Sequence, residues 1–440
     1  MSNTYLNRNI FEILKNISWL FFDKLLRLTV GLFVGIWVAR YLGPSKFGLL
    51  SYTNAFTALF GAVASLGLDR IVVREIVKTP SLKNELLGTA FVLKLIAGTF
   101  VLVMSIIVIY GIRSDESITL CLVGLSAAGY IFQSVNVIDL YYQAKVQSKL
   151  SVIAFNSAFF LMTLVKIELL LSGASLIAFG IVGLGEIILG SLFIVILYIK
   201  TNNLFRWRFE HRLARQLLLD SWPLMFSNAA VMIYMRIDQI MIGEMLDDKE
   251  LGFYSAAVKV SELFYIIPSI IANSIYPSIV ESKSQGTEKY NNKLQMLYDG
   301  FFLLALIISV FVTLFSDWMI MVLYGDNFSN SGVVLKILVW SCVFVFFSTI
   351  WSCDVLSRNK QKIFIKYDLS SISINITLNL ILIPQYGISG SALATTLSVP
   401  ITYMLMSVFI KSERMAMRCL IKSFVFISIF KFACNNRIKA

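Results

Sequence analysis

Leu42-Gly43-Pro44-Ser45-Lys46-Phe47-Gly48-Leu49-Leu50-Ser51 has a counterpart 204 residues later, Leu246-Asp247-Asp248-Lys249-Glu250-Leu251-Gly252-Phe253-Tyr254-Ser255. Leu, Gly and Ser recur in register, and Phe47 meets Leu251. Each stretch joins two long apolar runs, so each reads as a short turn in which glycine opens the next helix. A second match sets Lys145 and Lys149 against Arg358 and Lys362 at an offset of 213. Offsets that differ by only a loop's length predict one structural unit repeated twice.

The runs flanking these turns are membrane spans. The chain has 440 residues, 58% hydrophobic and 15% charged, with a mean hydropathy of +0.78; soluble domains are about 45–50% apolar and about 25% charged. A helical span takes about 20 apolar residues. Such runs lie near 17–38, 48–67, 86–110, 118–138, 150–171, 174–199, 218–244, 252–280, 294–322, 332–355, 366–386 and 388–410. Asp23, Lys24 and Arg27 interrupt the first, which therefore does not read as a cleaved signal peptide. The expected fold is an all-α integral membrane protein with twelve transmembrane helices in two six-helix lobes around a central cavity. Residues 1–199 would form the N-terminal lobe, 200–410 the C-terminal lobe and 411–440 a basic cytoplasmic tail. Six spans return the chain to its starting side, so the lobes would be parallel repeats, the layout of many secondary transporters.

Charge supplies the orientation. The net charge is +12, and of 38 Lys and Arg, 27 fall in the N-terminal segment, the even-numbered connections and the tail. The odd-numbered connections hold four: Arg40, Lys46, Arg113 and Lys249. Cations favour the cytoplasmic side, which places both termini there. The densest cluster, Lys200, Arg206, Arg208, Arg212 and Arg215, is interleaved with Trp207 and Phe209. It suits an interfacial helix rather than a nucleic-acid surface. In the tail, Arg414, Arg418 and Lys422 lead into a short apolar run at 423–430, too short to span; an amphipathic helix on the inner leaflet is expected. The single histidine, His211, excludes a His-rich metal site, and five cysteines without CxxC spacing argue against a metal or redox enzyme. No phosphate-binding GxxxxGK[ST] occurs, and neither catalysis nor a cofactor is expected.

Seven cations fall inside spans: Lys24, Arg27, Lys94, Lys166, Arg236, Lys259 and Lys336. Lys24, Arg27, Gly31 and Gly35 share one face of span 1. Arg27 is too deep to reach water, and both it and Lys24 would line the cavity unless Asp23 pairs with Arg27. Arg236 occupies the matching helix of the second repeat, with Asp238 and Gln239 close by. Lys259 has Glu262 at i+3, either as a salt bridge or as a substrate contact. Lys94, Lys166 and Lys336 read as helix-end lysines that snorkel. Glu186, set among glycines, is a candidate proton or cation carrier with Asp238 and Glu262. Ser371, Asn375 and Asn379 repeat at i+4, suited either to sugar hydroxyls or to interhelical hydrogen bonds. Pro268, Pro277, Pro384 and Pro400 are candidate bend points.

The run Ala39-Arg40-Tyr41-Leu42-Gly43-Pro44-Ser45-Lys46-Phe47-Gly48-Leu49-Leu50-Ser51-Tyr52 resembles the segment after span 1 of Wzx-type polysaccharide flippases, in the multidrug/oligosaccharidyl-lipid/polysaccharide exporter superfamily. Arg236-Ile237-Asp238-Gln239-Ile240-Met241-Ile242-Gly243 and Leu251-Gly252-Phe253-Tyr254-Ser255-Ala256-Ala257 are similar to the family's span 7 and its exit. Tyr324-Gly325 with Phe328, and Ile383-Pro384-Gln385-Tyr386-Gly387-Ile388-Ser389-Gly390-Ser391-Ala392, also match, so the resemblance covers residues 10–410 or so. It implies a carrier that moves undecaprenyl-pyrophosphate-linked oligosaccharide from the cytoplasmic to the outer leaflet of the bacterial inner membrane, for O-antigen or capsule. The implied substrate contacts are Lys24, Arg27, Arg236, Lys259, Asn375 and Asn379, and the implied partners are membrane lipids, a polysaccharide polymerase and a chain-length regulator. The short basic tail departs from members that carry two further spans to hold the lipid. A cation-coupled multidrug exporter of the same superfamily is the alternative; a polymerase or ligase would need a long external loop, and a non-catalytic scaffold is the remaining reading.

Overall fold

The computed structural model describes residues 2–424 except 201 and 203, with side chains from residue 26 onward apart from 28, 205, 411 and 424. Among the described residues there is no β-strand, and ten helical segments are long and apolar enough to cross a membrane. The first part of the chain forms α1 (Ser2–Ser65), α2 (Asp69–Lys78), α3 (Lys83–Ile112), α4 (Ser117–Gln133), α5 (Val137–Ala144), α6 (Lys149–Leu171), α7 (Leu176–Ile199) and α8 (His211–Met245). It continues through α9 (Asp248–Phe264), α10 (Ile266–Ser284), α11 (Thr287–Tyr324), α12 (Ser331–Leu338), α13 (Ser341–Ser357), α14 (Lys362–Phe409) and α15 (Arg414–Phe424). The protein is thus an all-α multi-pass membrane protein.

The two longest helices are each double. α1 breaks at Gly43 (φ 71°) and α14 at Gly387 (φ 58°), in the connections read between spans 1 and 2 and between spans 11 and 12. Divided there, the ten segments are consistent with twelve spans. Gly43 takes a left-handed conformation that a side chain would oppose, and Pro44 restarts the helix at the position where its missing N–H costs nothing. Proline also explains the break inside span 8. Pro268 cannot donate to the carbonyl of Phe264 and its ring crowds that oxygen; α9 ends at Phe264 and α10 begins at Ile266.

The repeat is visible in the backbone. Val146 and Asn359, 213 residues apart, both have φ 57°. Val146 N donates to Gln143 O and Gln147 N to Tyr142 O; Asn359 N donates to Leu356 O and Lys360 N to Val355 O. This left-handed helix ending is the same at both sites. It carries the sequence match between Lys145/Lys149 and Arg358/Lys362.

The chain divides into two compact units, one of residues 1–42 with 49–236 and the other of 43–48 with 237–440. In the first unit, α2 places Ile71, Val72 and Ile76 on one buried face, against Leu86, Leu87 and Ala90 of α3 and Val137, Ile138 and Tyr142 of α5. Its charged face carries Arg70, Arg74 and Lys78. Asp69 in its first turn faces the positive end of the helix dipole. α2 stops at Lys78 because Thr79 precedes Pro80 and takes an extended φ of −131°.

In the second unit the two repeated turns touch. A Cβ on Gly48 would lie 1.7 Å from Asp248 O, and one on Gly252 would lie 2.0 Å from Pro44 O. Pro44 and Asp248 are themselves separated by the repeat offset, so the contact is reciprocal. Phe47 is held among Tyr324 (6.4 Å between ring centroids) and Phe328 (5.9 Å).

The tail helix also belongs to the second unit. α15 buries Ala416, Cys419, Leu420 and Ser423 and exposes Arg414, Arg418 and Lys422. It is amphipathic as expected, and its buried face packs on α11 and α14. Ser423 Oγ donates to Asp299 Oδ1 (2.6 Å). Just before it, the buried Glu413 accepts from Trp351 Nε1 (2.6 Å) and pairs with Arg358 (3.3 Å), which also pairs with Asp354 (2.8 Å). The apolar run expected at 423–430 falls mostly outside the described residues.

Candidate substrate cavity and embedded charges

The first unit contains a cavity of about 540 Å³ whose lining is mostly polar, with Ala64, Val73 and Leu140 as its apolar members. α1 contributes Gly61 and Ser65, α2 Asp69 and Arg70, α3 Lys94, α4 Tyr130 and Gln133, and the following turn and α5 Asn136, Asp139 and Gln143. The turn from α1 to α2 sets the entry of Asp69. Leu66 (φ 53°) and Gly67 (φ 64°) are both left-handed, and Ser65 Oγ accepts from Gly67 N (3.3 Å). A Cβ on Gly67 would stand 2.6 Å from Met225 N, so glycine is required there by conformation and by contact.

Lys94 Nζ donates to Asp69 Oδ1 at 2.5 Å. The lysine side chain is 8% exposed and the aspartate 55%, so a buried ammonium is balanced by a carboxylate that still meets solvent. Across the cavity Gln143 Nε2 donates to Asp139 Oδ2 (2.8 Å), and Tyr130 OH donates to Thr57 O (3.0 Å). The result is a pocket with two cations, two carboxylates and three amides, able both to donate and to accept hydrogen bonds.

Lys94 was expected to snorkel from a helix end; it does not. α3 begins at Lys83, so Lys94 lies about 16 Å along the helix axis, and a partner from α2 meets it there. The other two helix-end lysines also have acidic partners: Lys166 Nζ lies 2.8 Å from Glu186 Oε2, and Lys336 Nζ 2.6 Å from Asp317 Oδ2. Glu186, read from sequence as a coupling carboxylate, thus sits in an ion pair between α6 and α7.

The remaining sequence candidates occupy several places. The side chain of Lys24 lies outside the described residues. Arg27, half-buried, stacks over Phe159 with its guanidinium carbon 5.4 Å from the ring centroid, in the first unit. Arg236 is half-buried in α8. In the second unit, Lys259 Nζ stands 4.7 Å above the Phe47 ring and Glu262 is half-buried. Asp238, 6% exposed, accepts from the Tyr254 hydroxyl, from Thr395 Oγ1 (3.4 Å) and from Gln239 N (2.8 Å). Asn375 and Asn379 are 1% and 0% exposed, and Asn379 Nδ2 donates to both Asn375 O and Asn375 Oδ1 at 3.0 Å. Sequence reasoning missed Asp69, Arg70, Gln133, Asn136, Asp139 and Gln143. The available signal was the Asp69-Arg70 pair directly after span 2.

Comparison with known proteins places this architecture. The chain is 28% identical over 177 residues to the protein named "Probable flippase AglR" of Haloferax volcanii, covering 39% of this chain and 37% of that protein. The match therefore takes in little more than a third of that relative. With the capsular polysaccharide biosynthesis protein CapF of Staphylococcus aureus it shares 20% identity over 400 residues, 88% of this chain and 96% of the other. Among solved structures, the lipid II flippase MurJ in an inward closed conformation superposes with a TM-score of 0.71 at 15% identity, covering 95% of this chain and 93% of that one. The MatE profile matches residues 223–381. The profile of the polysaccharide biosynthesis protein family matches residues 13–283, well over half of the chain, and the chain belongs to that family, the Wzx-type branch of the multidrug/oligosaccharidyl-lipid/polysaccharide exporter superfamily.

Proposed function

We propose that this protein is a flippase that carries oligosaccharide linked to undecaprenyl pyrophosphate from the cytoplasmic to the outer leaflet of the bacterial inner membrane, for O-antigen or capsule. It works by alternating access and catalyses no bond change. The lining of the first-unit cavity carries this reading. Arg70 and Lys94 are offset by Asp69 and Asp139, and Gln133, Asn136 and Gln143 add amides. Sugars offer many hydroxyls and little charge, and such a surface can replace their hydration. A lipophilic cation would be better served by an acidic, aromatic pocket, which disfavours the drug-exporter alternative.

Arg27 and Arg236 are assigned to the pyrophosphate, with Lys24, Lys259, Asn375 and Asn379 along the path. Both termini are cytoplasmic on the distribution of Lys and Arg, and a polymerase and a chain-length regulator act on the exported unit. Outward movement of an anion is favoured by about 2.3 kcal/mol per charge per 100 mV, cytoplasm negative. If an ion is exchanged, Asp238 is the best-placed carrier, with Glu262 and the Lys166-paired Glu186 as the other candidates.

The test is deletion followed by measurement of lipid-linked units on the cytoplasmic face, which should accumulate. Arg27→Ala and Arg236→Ala should each fail to complement while still inserting. Normal surface polysaccharide with altered drug resistance would overturn the reading.

A further inference from the structure

The first unit also carries an apolar groove of about 380 Å³ that shares no lining residue with the polar cavity. Phe91, Val92, Val135, Ile138, Leu204 and Trp207 form its walls. One wall is a strap at 204–210 bound to the start of α3. Arg208 N donates to Asn84 O (3.3 Å), and Glu210 N to Thr89 Oγ1 (3.0 Å). Trp207 Nε1 donates to Tyr198 OH (3.2 Å), and its ring lies 5.7 Å from that of Phe91. A Cβ on Gly88 would stand 2.6 Å from Arg208 O, so strap and helix meet backbone to backbone and the groove is a fixed feature.

Cations gather at the same end of the unit. Lys83 Nζ donates to Asn202 Oδ1 (2.8 Å) and sits 5.1 Å above the Tyr141 ring, both neutral partners. Lys145 and Arg206 lie close enough to Lys83 to repel it electrostatically, and Arg208 is exposed beside them. Among the described residues, none of these four has a carboxylate within 4.0 Å. Like charges held together at the edge of a low-dielectric region call for an external anion.

We propose that the groove and this cluster form a binding site for one anionic phospholipid, its acyl chain against Trp207 and Phe91 and its phosphate among Lys83, Lys145 and Arg206. A soluble anion would use the cations and leave the groove empty, and a zwitterionic lipid would fill the groove without answering the charge. The groove lies where α3 begins and α7 ends, the level of a leaflet's headgroups, which is the cytoplasmic leaflet on the orientation proposed above.

The test is quenching of Trp207 by brominated lipid. The full-length protein and its Trp207→Phe variant are reconstituted in bilayers that contain a small fraction of dibrominated phosphatidylglycerol in phosphatidylcholine, or the reverse. The Trp207 signal should be quenched preferentially by the brominated phosphatidylglycerol. Each cation near an anionic headgroup is worth about a fivefold preference, so Lys83→Gln/Lys145→Gln/Arg206→Gln should lower the preference by at least about tenfold while the protein remains monodisperse. That triple variant retains Trp207, so the comparison stands even if Trp207→Phe does not fold. Equal quenching by the two lipids, or a preference that survives in the triple variant, overturns the proposal. Displacement of the brominated phosphatidylglycerol by an equal fraction of undecaprenyl phosphate also overturns it, assigning the groove to a polyprenyl lipid.

Discussion

Replacing Gly48 by alanine tests the contact between the two repeated turns most directly. Its Cβ would fall 1.7 Å from Asp248 O and 2.8 Å from Gly252 N, whereas ordinary van der Waals contact begins at 3.4 Å. Both obstacles are backbone atoms, with no rotamer to turn away. Overpacking in a well-filled interior costs about 1–3 kcal/mol, and the absence of a flexible neighbour puts Gly48→Ala near the upper end. At about 2–4 °C per kcal/mol for a large domain, the apparent melting temperature of the purified protein should fall by about 6–12 °C. Gly252→Ala, meeting Pro44 O at 2.0 Å, should do nearly the same. Because either substitution pushes the same turns apart, the double variant should lose less than the sum, with a coupling of about 0.5–3 kcal/mol. Gly124 in α4 and Gly183 in α7 have nothing within 4 Å of a built Cβ, so alanine there should be neutral or gain about 0.5–1 kcal/mol through helix propensity. The readout is thermal denaturation followed by the monodisperse fraction on gel filtration, at one scan rate for all variants. A Gly48→Ala protein that melts like the glycine controls would refute the contact.

Asp69→Asn should impair stability more than Lys94→Met, because it leaves a buried ammonium without its counter-charge, at roughly 1–3 kcal/mol; melting curves would show the order, and both should reduce surface polysaccharide. Glu413→Ala strands Trp351 Nε1 and removes one of the two carboxylates paired with Arg358. Arg358 keeps Asp354, so the cost is mainly that of the unsatisfied buried indole N–H, about 1–3 kcal/mol, and limited proteolysis should then cut around α15 before the wild type is touched. Burial pushes the Cys419 thiol up to about 11; at pH 8, in a Cys434→Ser background, the exposed Cys121 should label with maleimide and Cys419 should not. Because burial disfavours the thiolate, this thiol costs the folded state nothing below its ordinary value of 9.0, and stability falls progressively as the pH rises from there to about 11. Asp238→Asn should abolish any dependence of flipping in proteoliposomes on an ion gradient while leaving a voltage response; retention of the gradient response would clear Asp238 of the coupling role.

The spans were legible because the hydrocarbon thickness imposes a minimum apolar length and backbone hydrogen bonds have to close within each helix. The repeat was legible because both turns keep a glycine at the same place, and the structure adds the reason: each glycine faces the other turn's backbone. Asn375 and Asn379 were read correctly as one face of a helix, but whether a sugar or each other would satisfy them depends on neighbours. They bond to each other in the structure. Lys94 was misread because its depth depends on where α3 begins, and its partner Asp69 is 25 residues away on another helix.

Sequence alone determined the helical class, the repeat and the charge asymmetry, since each depends on composition or spacing along one chain, while its motifs carried the resemblance to the family. Tertiary structure alone decided the polar cavity, the groove beneath Trp207, the docking of α15 and the pairings of the embedded charges. These arise where side chains from different helices converge. In a medium of low dielectric, the identity of the neighbour decides whether an ionisable group is an ion-pair partner, a hydrogen-bond acceptor or a group available to a ligand.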